Sequence, residues 1–457
     1  MGLLLFLSFS LLFTAVSPLG DISKSSCSSK FEDELHQLND TGVLRLPLHH
    51  PRGPCSPAPL PPVPFSDVLA HDEARVRSLA ARLSNTSSSS SSLSATPRLL
   101  DPTSLSVPLS PGTSLGVGNY VTRIGLGFPS SSYAMVVDTG SSLTWLQCSP
   151  CVISCHAQSG SIYDPSSSSS YRSVSCSAPE CGGLLSATLN PSACTKSNVC
   201  IYQASYGDSS FSVGYLSKDT IFFNSQTFPN FVYGCGQDNE GLFGKSAGLI
   251  GLARNKLSLL YQLSPRLGYS FSYCLPTTSS TGFLSIGGGY PSSRLSYTPL
   301  VSSSLDSSLY FVRLVGINVA GKSLSVPASA FTSTPTIIDS GTVITRLPSD
   351  VYSALSKAVA AAMRGSPRAS AYSILDTCFK GSFGRLTVPQ VDLVFQGGAA
   401  LRLAKNNVMI DVDGSTTCLA FAPAGSVAII GNTQQQTFTV VYDVGGSKLG
   451  FAPGGCR

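Results

Sequence analysis

The chain contains two copies of one short pattern, in which an apolar run ends in Asp, a hydroxyl residue and Gly. Residues 134–141 read Ala-Met-Val-Val-Asp-Thr-Gly-Ser, and residues 336–342 read Thr-Ile-Ile-Asp-Ser-Gly-Thr. Each copy is followed later by two apolar residues and a glycine, at residues 249–251 in the first half and 429–431 in the second. Because the same two elements recur in the same order, the sequence predicts two related lobes.

Two aspartates occupy matching places in this repeat and are the candidate catalytic residues. Asp138 and Asp339 each follow an apolar, strand-like run, which can deliver both carboxyls to the boundary between the lobes. The glycine that comes two residues later permits a tight turn. The neighbouring hydroxyls can donate to the aspartate of their own lobe or reach the loop of the other lobe. The residues expected to support the pair are Thr139, Gly140, Ser141, Ser340, Gly341 and Thr342.

Two carboxyls held within hydrogen-bond distance have a defined chemistry. Like charges that close cannot both ionise, so the pair shares one proton. The ionised partner can draw a proton from water while the protonated partner donates to a peptide carbonyl, and return of the proton to nitrogen releases the amine. We therefore expect peptide hydrolysis with an acid pH optimum, and no metal or other cofactor.

The composition is typical of a β-rich protein with a large core. Apolar residues make up 42% of the 457 residues and charged residues only 12%, against roughly 25% charged in an average domain. Abundant Gly and Pro favour many short strands joined by turns. The sequence predicts an all-β, bilobal fold, with the first lobe in residues 118–297 and the second in 298–457. One helix is expected over 350–364, with Ser349 as its cap and Gly365 ending it.

The N-terminus indicates export from the cytosol. Residues 1–20 hold an apolar run that is too short to span a bilayer comfortably and that ends in small residues and Pro18, as in a cleaved signal peptide. An uncleaved anchor is the alternative, since Lys and Arg are absent from the start of this segment. The 14 cysteines of the chain favour an oxidising compartment and disulfides.

Residues 21–104 are expected to form a propeptide. An amphipathic segment at 67–83 lies between a Pro-rich patch at 47–64 and a serine tract at 87–92. Its apolar face consists of Leu69, Val76, Leu79 and Leu83, with Arg75, Arg77 and Arg82 beside it. We predict a helix that covers the cleft and turns an arginine toward the acid pair; a disordered tail with a nascent helix is the alternative. N-glycosylation sequons begin at Asn39 and Asn85.

Taken together, these features resemble the pepsin-like (A1) family of aspartic proteases, and more closely its plant nepenthesin-like branch. The resemblance covers nearly all of residues 118–457. It also rests on Trp145, seven residues after Asp138, on Tyr206 within Ser-Tyr-Gly-Asp, and on Gly-Asn-Thr-Gln-Gln-Gln at 431–436. It implies a flap with Tyr206 and Gly207, in which the Tyr206 hydroxyl reaches the indole N–H of Trp145. The shared-proton mechanism is what this family is known for. The glutamine run at 434–436 has a structural loop as its alternative interpretation.

The order of the twelve cysteines after residue 118 is the most specific marker of that branch. The resemblance implies the disulfides Cys148–Cys151, Cys155–Cys235, Cys176–Cys200, Cys181–Cys194, Cys274–Cys456 and Cys378–Cys418. Spacing alone does not determine such connectivity. A zinc site at Cys148, Cys151 and Cys155 is disfavoured, because the sequence offers no second ligand pair at similar spacing.

The resemblance also implies the partners and the location. We expect a monomeric endopeptidase acting on proteins or peptides, with its own propeptide as an intramolecular inhibitor and no membrane partner, in the apoplast or vacuole rather than a plastid. A catalytically silent inhibitor or binding protein is the alternative, which the two intact motifs disfavour. DNA binding, described for some chloroplast relatives, is disfavoured, because the sequence contains no basic cluster in spite of its net charge of +5. Glycoside hydrolysis also uses two carboxylates but does not require paired turns of this kind.

Overall fold

The fold is built from short strands, as the composition predicts. The computed structural model describes residues 43–59, 63–85, 120–207, 209–223, 226–241, 243–288 and 295–456. The predicted signal peptide and the sequon at Asn39 lie outside these residues. Asn85 is the last residue of a helix, and its side chain also lies outside what the structure describes.

The strands, in chain order, are β1 (Leu44–Leu48), β2 (Val121–Leu126), β3 (Ser131–Asp138), β4 (Trp145–Gln147), β5 (Arg172–Ser173), β6 (Ala193–Cys194), β7 (Cys200–Ser205), β8 (Phe211–Phe223), β9 (Gln226–Glu240), β10 (Gly248–Gly251), β11 (Ser270–Cys274), β12 (Gly282–Ile286), β13 (Ser296–Pro299), β14 (Phe311–Val312), β15 (Leu314–Val319), β16 (Lys322–Ser323), β17 (Thr336–Ile338), β18 (Thr345–Leu347), β19 (Arg368–Ala369), β20 (Cys378–Lys380), β21 (Val391–Phe395), β22 (Ala400–Leu403), β23 (Met409–Asp411), β24 (Thr416–Leu419), β25 (Phe421–Pro423), β26 (Ala428–Ile430), β27 (Phe438–Asp443) and β28 (Lys448–Pro453). The helices are α1 (Phe65–Asn85), α2 (Pro179–Gly182), α3 (Leu184–Thr188), α4 (Leu259–Leu267), α5 (Ser349–Ala362), α6 (Lys405–Val408) and α7 (Asn432–Gln435), and single 3₁₀ turns lie at Pro165–Ser167, Ala328–Phe331 and Phe383–Arg385.

Each lobe has its own sheets, and the two lobes repeat one arrangement. The first lobe holds a nine-stranded sheet in the order β2-β3-β10-β4-β9-β8-β7-β6, with β5 beside β8. The second holds a five-stranded sheet, β14-β17-β26-β18-β25, and two four-stranded sheets, β16-β15-β21-β22 and β19-β20-β24-β23. In each lobe, the strand that leads to an aspartate pairs in parallel with the later apolar strand, β3 with β10 and β17 with β26. The predicted bilobal, mostly β architecture is therefore confirmed.

The apolar-apolar-Gly elements have the same structural role in both lobes. The Gly251 N–H donates to the Thr144 hydroxyl at 3.2 Å, and the Gly431 N–H donates to the Thr345 hydroxyl at 2.9 Å. A Cβ on Gly251 would lie 2.2 Å from the Ser142 carbonyl oxygen, so a side chain cannot be accommodated there. The two glycines thus let the later strand cross directly behind each aspartate loop.

A third layer joins the lobes and includes a strand from the predicted propeptide. Its six strands run in the order β1-β12-β11-β27-β28-β13, and β1 pairs antiparallel with β12. Leu44, Leu46 and Leu48 of β1 are buried in the main core. The sequence analysis did not predict this strand, because five residues with Pro47 among them give only a weak alternating signal.

Helix α1 extends from Phe65 to Asn85, two residues beyond each end of the predicted segment. Its apolar residues pack in two clusters of the second lobe. Val68 and Leu69 pack with Val343 and Ile344 of the second lobe. The more C-terminal residues Val76, Leu79 and Leu83 belong to a cluster with Leu309, Phe311, Ile337, Val427 and Ile429. Burial of this apolar face explains why the helix is ordered here, although a Pro-rich patch precedes it and a serine tract follows it in the sequence.

Helix α5 differs from its prediction at both ends. It spans Ser349–Ala362, with Pro348 in the N-cap position and no side-chain cap. The Ser349 hydroxyl donates instead to the Ala424 carbonyl at 3.5 Å, which anchors the helix start to the strand below. Met363 is the C-cap, so the helix ends before the predicted Gly365. Among the described residues, no helix has both the length and the apolar character needed to cross a membrane.

The predicted disulfide pairing is wrong for four of the six bonds. The structure pairs Cys148 with Cys235 and Cys151 with Cys155, in place of Cys148–Cys151 and Cys155–Cys235. Cys148 and Cys235 are both buried: Cys148 directly follows β4, and Cys235 lies on the neighbouring strand β9. Cys151 and Cys155 lie in one short loop and are partly exposed. Burial therefore selects the long-range partner for Cys148.

The second correction concerns the four cysteines near β6 and β7. The structure has Cys176–Cys194 and Cys181–Cys200, in place of Cys176–Cys200 and Cys181–Cys194. Cys194 and Cys200 lie opposite each other across β6 and β7, so their order in the sequence does not determine which partner each one takes. Cys181 and Cys200 are both buried and bond to each other. Cys274–Cys456 and Cys378–Cys418 have the partners that the resemblance implied.

The pairing around β4 can be tested with two double variants, one that replaces Cys148 and Cys235 by Ala and one that replaces Cys151 and Cys155 by Ala. Replacing Cys148 and Cys235 by Ala is expected to leave no unpaired thiol, because Cys151 and Cys155 stay bonded to each other. Under the pairing implied by the resemblance, the same variant would have two free thiols, which titration of the denatured, unreduced protein counts. Since the first bond spans 87 residues and the second 4, we expect losses of about 4–5 and about 2 kcal/mol of unfolding free energy.

Candidate active site

The two repeated aspartates meet where the lobes join. Asp138 is the last residue of β3, and Asp339 directly follows β17. Both strands are buried, and each aspartate is at most 1% exposed. Gly251 lies opposite Asp138, and the Asp339 N–H donates to the Ile430 carbonyl at 3.1 Å. The parallel strand pairs therefore fix both carboxyl-bearing turns from behind.

A reciprocal pair of hydrogen bonds links the two aspartate loops. The Ser340 N–H donates to the Thr139 hydroxyl at 2.9 Å, and the Thr139 N–H donates to the Ser340 hydroxyl at 3.3 Å. The two hydroxyl oxygens are themselves 3.3 Å apart. These contacts are fully buried, so they hold the loops of different lobes in a fixed relation.

Each carboxylate also receives donors from its own lobe. The Gly140 N–H donates to Asp138 Oδ1 at 2.9 Å, and the Ser141 hydroxyl donates to Asp138 Oδ2. In the second lobe, the Gly341 N–H donates to Asp339 Oδ1 at 3.2 Å, and the Thr342 hydroxyl donates to Asp339 Oδ2 at 2.6 Å. The matching donor sets orient the two carboxyls toward one common point.

That point is occupied by a guanidinium group from α1. Arg75 Nη2 lies 2.7 Å from Asp138 Oδ1 and 3.0 Å from Asp339 Oδ1, so one nitrogen reaches both carboxylates. Arg75 Nε donates to Asp339 Oδ2 at 2.9 Å, and Nη1 lies 3.3 Å from Asp138 Oδ2. A Cβ on Gly341 would lie 2.3 Å from Arg75 Nη2, so the glycine is needed for this close approach.

The guanidinium changes the electrostatics of the site. Burial by itself raises the pKa of Asp339, but the charge of Arg75 and hydrogen bonds from Arg75, Thr342 and Gly341 outweigh it, and the pKa lies below its ordinary value. Burial would lower the pKa of Arg75, yet the two aspartates raise it well above the ordinary value. With Arg75 in place, the lowered pKa of Asp339 disfavours the proton that the pair would have to share for hydrolysis.

The predicted flap residues lie on the hairpin between β7 and β8. The Trp145 indole N–H donates to the Tyr206 hydroxyl at 2.7 Å, as the resemblance implied, and both rings contact Phe243 edge to face. A Cβ on Gly207 would lie 2.2 Å from the Ser78 Cβ and 2.7 Å from the Ala74 carbonyl oxygen. The hairpin is therefore packed directly against the backbone of α1.

The glutamine run proves to be structural. Gln435 Nε2 donates to the Asp339 carbonyl at 3.2 Å and to the Ile430 carbonyl at 2.8 Å. Gln434 Nε2 donates to the carbonyls of Asn407 and Ala420. Gln434 and Gln435 are fully buried, and they hold the second aspartate loop without facing the cleft.

Charged residues on both sides of Arg75 anchor α1 to the cleft, and the sequence analysis missed their partners. Toward the helix C-terminus, Arg82 forms an ion pair with Asp306 and donates to the Gly140 carbonyl at 3.1 Å. Toward the N-terminus, Asp72 forms an ion pair with Arg346 at 3.0 Å. Asp72, Arg75 and Arg82 share the helix face that includes Leu79, a spacing that the sequence does contain. The ion-pair partners of Asp72 and Arg82 are more than 200 residues away, and no local pattern identifies them.

The described residues include no group of three or more His, Cys, Asp or Glu side chains arranged to hold a metal ion. Cys148, Cys151 and Cys155 are all engaged in disulfides. What the site offers is two convergent carboxyls with fixed donors, in a cleft of which part stays unfilled beside Arg75 and Tyr206. This arrangement suits proton transfer to and from a bound water once the guanidinium has left.

Comparison with solved structures finds the same fold in seed proteins. Conglutin gamma, a basic 7S globulin from lupine seeds, has a TM-score of 0.59 at 20% identity and covers 74% of this chain and 92% of its own. Basic 7S globulin from soybean has a TM-score of 0.59 at 22% identity, covering 74% of this chain and 91% of its own. At these identities the likeness concerns the fold alone.

Comparison with sequence families and curated proteins is more specific. The family models "Xylanase inhibitor N-terminal" and "Xylanase inhibitor C-terminal" match residues 120–288 and 309–453. An aspartyl protease family protein of Arabidopsis thaliana is 43% identical over 396 residues, 85% of this chain and 82% of the relative. Aspartic proteinase nepenthesin-2 of Nepenthes gracilis is 36% identical over 356 residues, 75% and 78% of the two chains. The chain therefore belongs to the plant branch of the pepsin-like (A1) aspartic protease family, which includes the nepenthesins.

Proposed function

We propose that the chain is the precursor of an aspartic endopeptidase, which hydrolyses peptide bonds in proteins at acid pH with Asp138 and Asp339 as the catalytic pair. The observation that carries the proposal is that one nitrogen of Arg75 reaches an oxygen of each carboxylate. Two carboxyls that converge on a single atom can also converge on a single water. The relatives named as proteases support the same reaction.

Without the guanidinium, the two carboxyls lose the positively charged group that lies between them. Repulsion between the two carboxylates then favours a state in which they share one proton. The apparent pKa values of this titration belong to the pair and not to either residue. The anionic member takes a proton from water as the water attacks the peptide carbonyl, and the neutral member donates to the carbonyl oxygen. Gly140, Ser141, Gly341 and Thr342 keep donating to the carboxyl oxygens and so hold their orientation.

Helix α1 supports the idea that the chain is made as a latent precursor. It occupies the cleft with Arg75 on the acid pair, the flap hairpin against its backbone and its apolar residues packed on the second lobe. A peptide substrate cannot reach the carboxyls while the helix is bound. We propose that residues 21–104 act as the propeptide and the intramolecular inhibitor of a monomeric enzyme that follows the secretory route to the apoplast or vacuole.

The alternative is a catalytically silent binding protein, a role that the family-model descriptions name for xylanase inhibitors. Both aspartates and every hydroxyl donor around them are present and bonded as the reaction requires. We therefore favour the enzyme.

The first prediction concerns the catalytic pair. In acid-processed protein, Asp138→Asn is expected to lower kcat for a protein substrate by about 10²–10⁴-fold, because a shared proton needs two carboxyls. The measurement is proteolysis across pH 3 to 8, with pepstatin as an additional probe. Asp350→Asn, at an exposed residue in the first turn of α5, is the matched control and should retain activity. Correctly processed wild-type protein with no activity at any pH would favour the binding-protein alternative.

The second prediction concerns latency. Arg75→Gln removes the buried ion pairs to both aspartates, a change that costs about 3 kcal/mol or more of helix docking. The unprocessed chain should then cleave a short fluorogenic peptide on the order of 100-fold faster than the wild-type precursor at pH 5. Arg77→Gln is the control, because Arg77 is exposed on the same helix. Equal latency of both variants would show that the contact with the acid pair does not maintain inhibition.

The third prediction concerns acidification. The pKa values of Asp339 and Asp306 are lowered in the folded chain: in both cases burial raises the pKa, and the charges of Arg75 and Arg82, respectively, outweigh it. The stabilisation from a lowered carboxyl pKa is fully present above the ordinary value of 3.8 and is lost as the pH falls through the lower, folded value. Burial raises the pKa of Asp72 in spite of the charge of Arg346, so protonation of this carboxyl on acidification favours the docked helix and opposes its release.

The lowered pKa values of Asp339 and Asp306 predict that α1 leaves the cleft when the pH falls below the ordinary carboxyl value of 3.8. The single tryptophan of the chain, Trp145, is bonded to the flap that packs on α1, so its fluorescence reports the release. A transition in Trp145 emission is expected as the full chain is acidified from pH 7 to pH 2. A signal that stays constant until global unfolding would contradict electrostatic release.

A further inference from the structure

Arg346 is a buried cation in the cleft strand of the second lobe, and the mechanism above does not use it. It lies in β18 and is 1% exposed with α1 in place. Its position matches that of Trp145 in the first lobe: each follows its catalytic aspartate by seven residues. Their cross-strand partners also match, since Trp145 lies opposite Leu249 and Arg346 opposite Ile429. The first lobe thus carries an aromatic support for the flap at this position, and the second lobe carries a positive charge.

Arg346 and two backbone groups bind one carboxylate of α1. The Val343 N–H donates to Asp72 Oδ1 at 2.5 Å, and the Ile344 N–H donates to Asp72 Oδ2 at 3.1 Å. Arg346 Nη2 donates to Asp72 Oδ2 at 3.0 Å and also reaches Glu73 Oε2 at 3.1 Å. All three donors to Asp72 lie on the segment that follows Asp339. They therefore form a site for a carboxylate within the substrate cleft.

The donor set makes this site selective for a carboxyl group over an amide. Both oxygens of Asp72 accept hydrogen bonds, whereas an amide has one acceptor oxygen and would turn its NH₂ group toward a donor. Val68 and Leu69 of α1 pack with Val343 and Ile344 beside the carboxylate, in a cluster that also contains Ala420 and Ala422. Asp72 itself is only 4% exposed. In such a setting, a donor left without an acceptor costs more than it does in water.

Removal of α1 would leave these donors without their acceptor. Among the described residues, both carboxylates that pair with Arg346 belong to α1. The other acceptor of the guanidinium is the Ile344 carbonyl, 2.9 Å from Nη1. A desolvated guanidinium and two inward N–H groups favour a new anionic partner over none. In the open cleft, that partner would be supplied by whatever peptide takes the place of the helix.

We propose that Val343, Ile344 and Arg346 form a carboxylate-binding subsite that selects an aspartate or glutamate side chain of the substrate. The inference rests on the proposed protease function. Asp72 precedes Arg75 by three residues, which is about 4.5 Å along a helix axis. An extended peptide covers such a distance in one or two residues. The selected acidic residue therefore lies within about three residues of the scissile bond.

The test is a comparison of matched peptides. Fluorogenic substrates carry either Asp or Asn at one of the three positions on each side of the scissile bond, and kcat/KM is measured at pH 5 with the full chain after acid processing. For wild type we expect an Asp-to-Asn ratio of about tenfold or more at one position. In Arg346→Gln that ratio should fall to about one, while the exposed control Arg402→Gln should keep it. The ratio is taken within one enzyme, so a partly misfolded variant does not alter it.

The conservative variant separates recognition of the carboxyl group from a purely structural role of Arg346. Arg346→Lys should keep a reduced preference, since it retains the charge but not the planar fork. A wild-type ratio near one at every position, or a ratio that Arg346→Gln leaves intact, would overturn the proposal while the protease function stands.

A binding measurement covers the case in which processed protein cleaves no peptide and the proposed function itself fails. A labelled peptide of residues 63–85 and its Asp72→Asn version are titrated against the processed chain. The substitution should raise Kd about tenfold or more for wild type and have little effect for Arg346→Gln. Equal weakening in both proteins would contradict the carboxylate site without reference to catalysis.

Discussion

Two carboxylates buried between two lobes are the constraint on which the rest of this structure depends. Neither Asp138 nor Asp339 has access to water, so the fold must supply donors and a counter-charge. The repeated strand pairs bring the carboxyls together, and the Thr139–Ser340 hydrogen bonds keep them together. In this structure the counter-charge is Arg75; in the proposed enzyme a shared proton replaces it. Under the proposed function, the site has a stable state with the helix and a reactive state without it.

Helix α1 is complementary to the cleft along its whole length, by charge as well as by shape. Acidic residues at its N-terminal part meet Arg346, Arg75 meets the acid pair, and Arg82 meets Asp306. Apolar residues between these contacts bury their side chains in two clusters of the second lobe. The side chains of α1 that contact the cleft therefore show which chemical groups the cleft can bind. Since a substrate of the proposed enzyme would occupy the same surface, the contacts of α1 contain information about its specificity.

The sequence predicts those parts of the site that are repeated or locally periodic. The paired Asp-hydroxyl-Gly turns identify the aspartates and their hydroxyl donors, and the 3.6-residue period identifies α1 with an arginine near the acid pair. The disulfide partners and the ion pairs depend on chain segments that meet only after folding. Cys194 and Cys200 lie directly opposite each other, so spacing does not assign their partners. Arg346 contacts acids more than 270 residues away, and nothing near it in the sequence indicates a function.

The differences between the two lobes are as informative as the repeat. Thr144 and Thr345 have the same role, and so do Gly251 and Gly431, because both lobes must build the same aspartate turn. The next position departs from this equivalence: Trp145 anchors the flap through Tyr206, while Arg346 faces the cleft with a charge. The reaction needs two like carboxyls and therefore preserves the symmetry around them. A polypeptide substrate has direction and side-chain sequence, so its recognition requires that the symmetry be broken just beyond the catalytic turns.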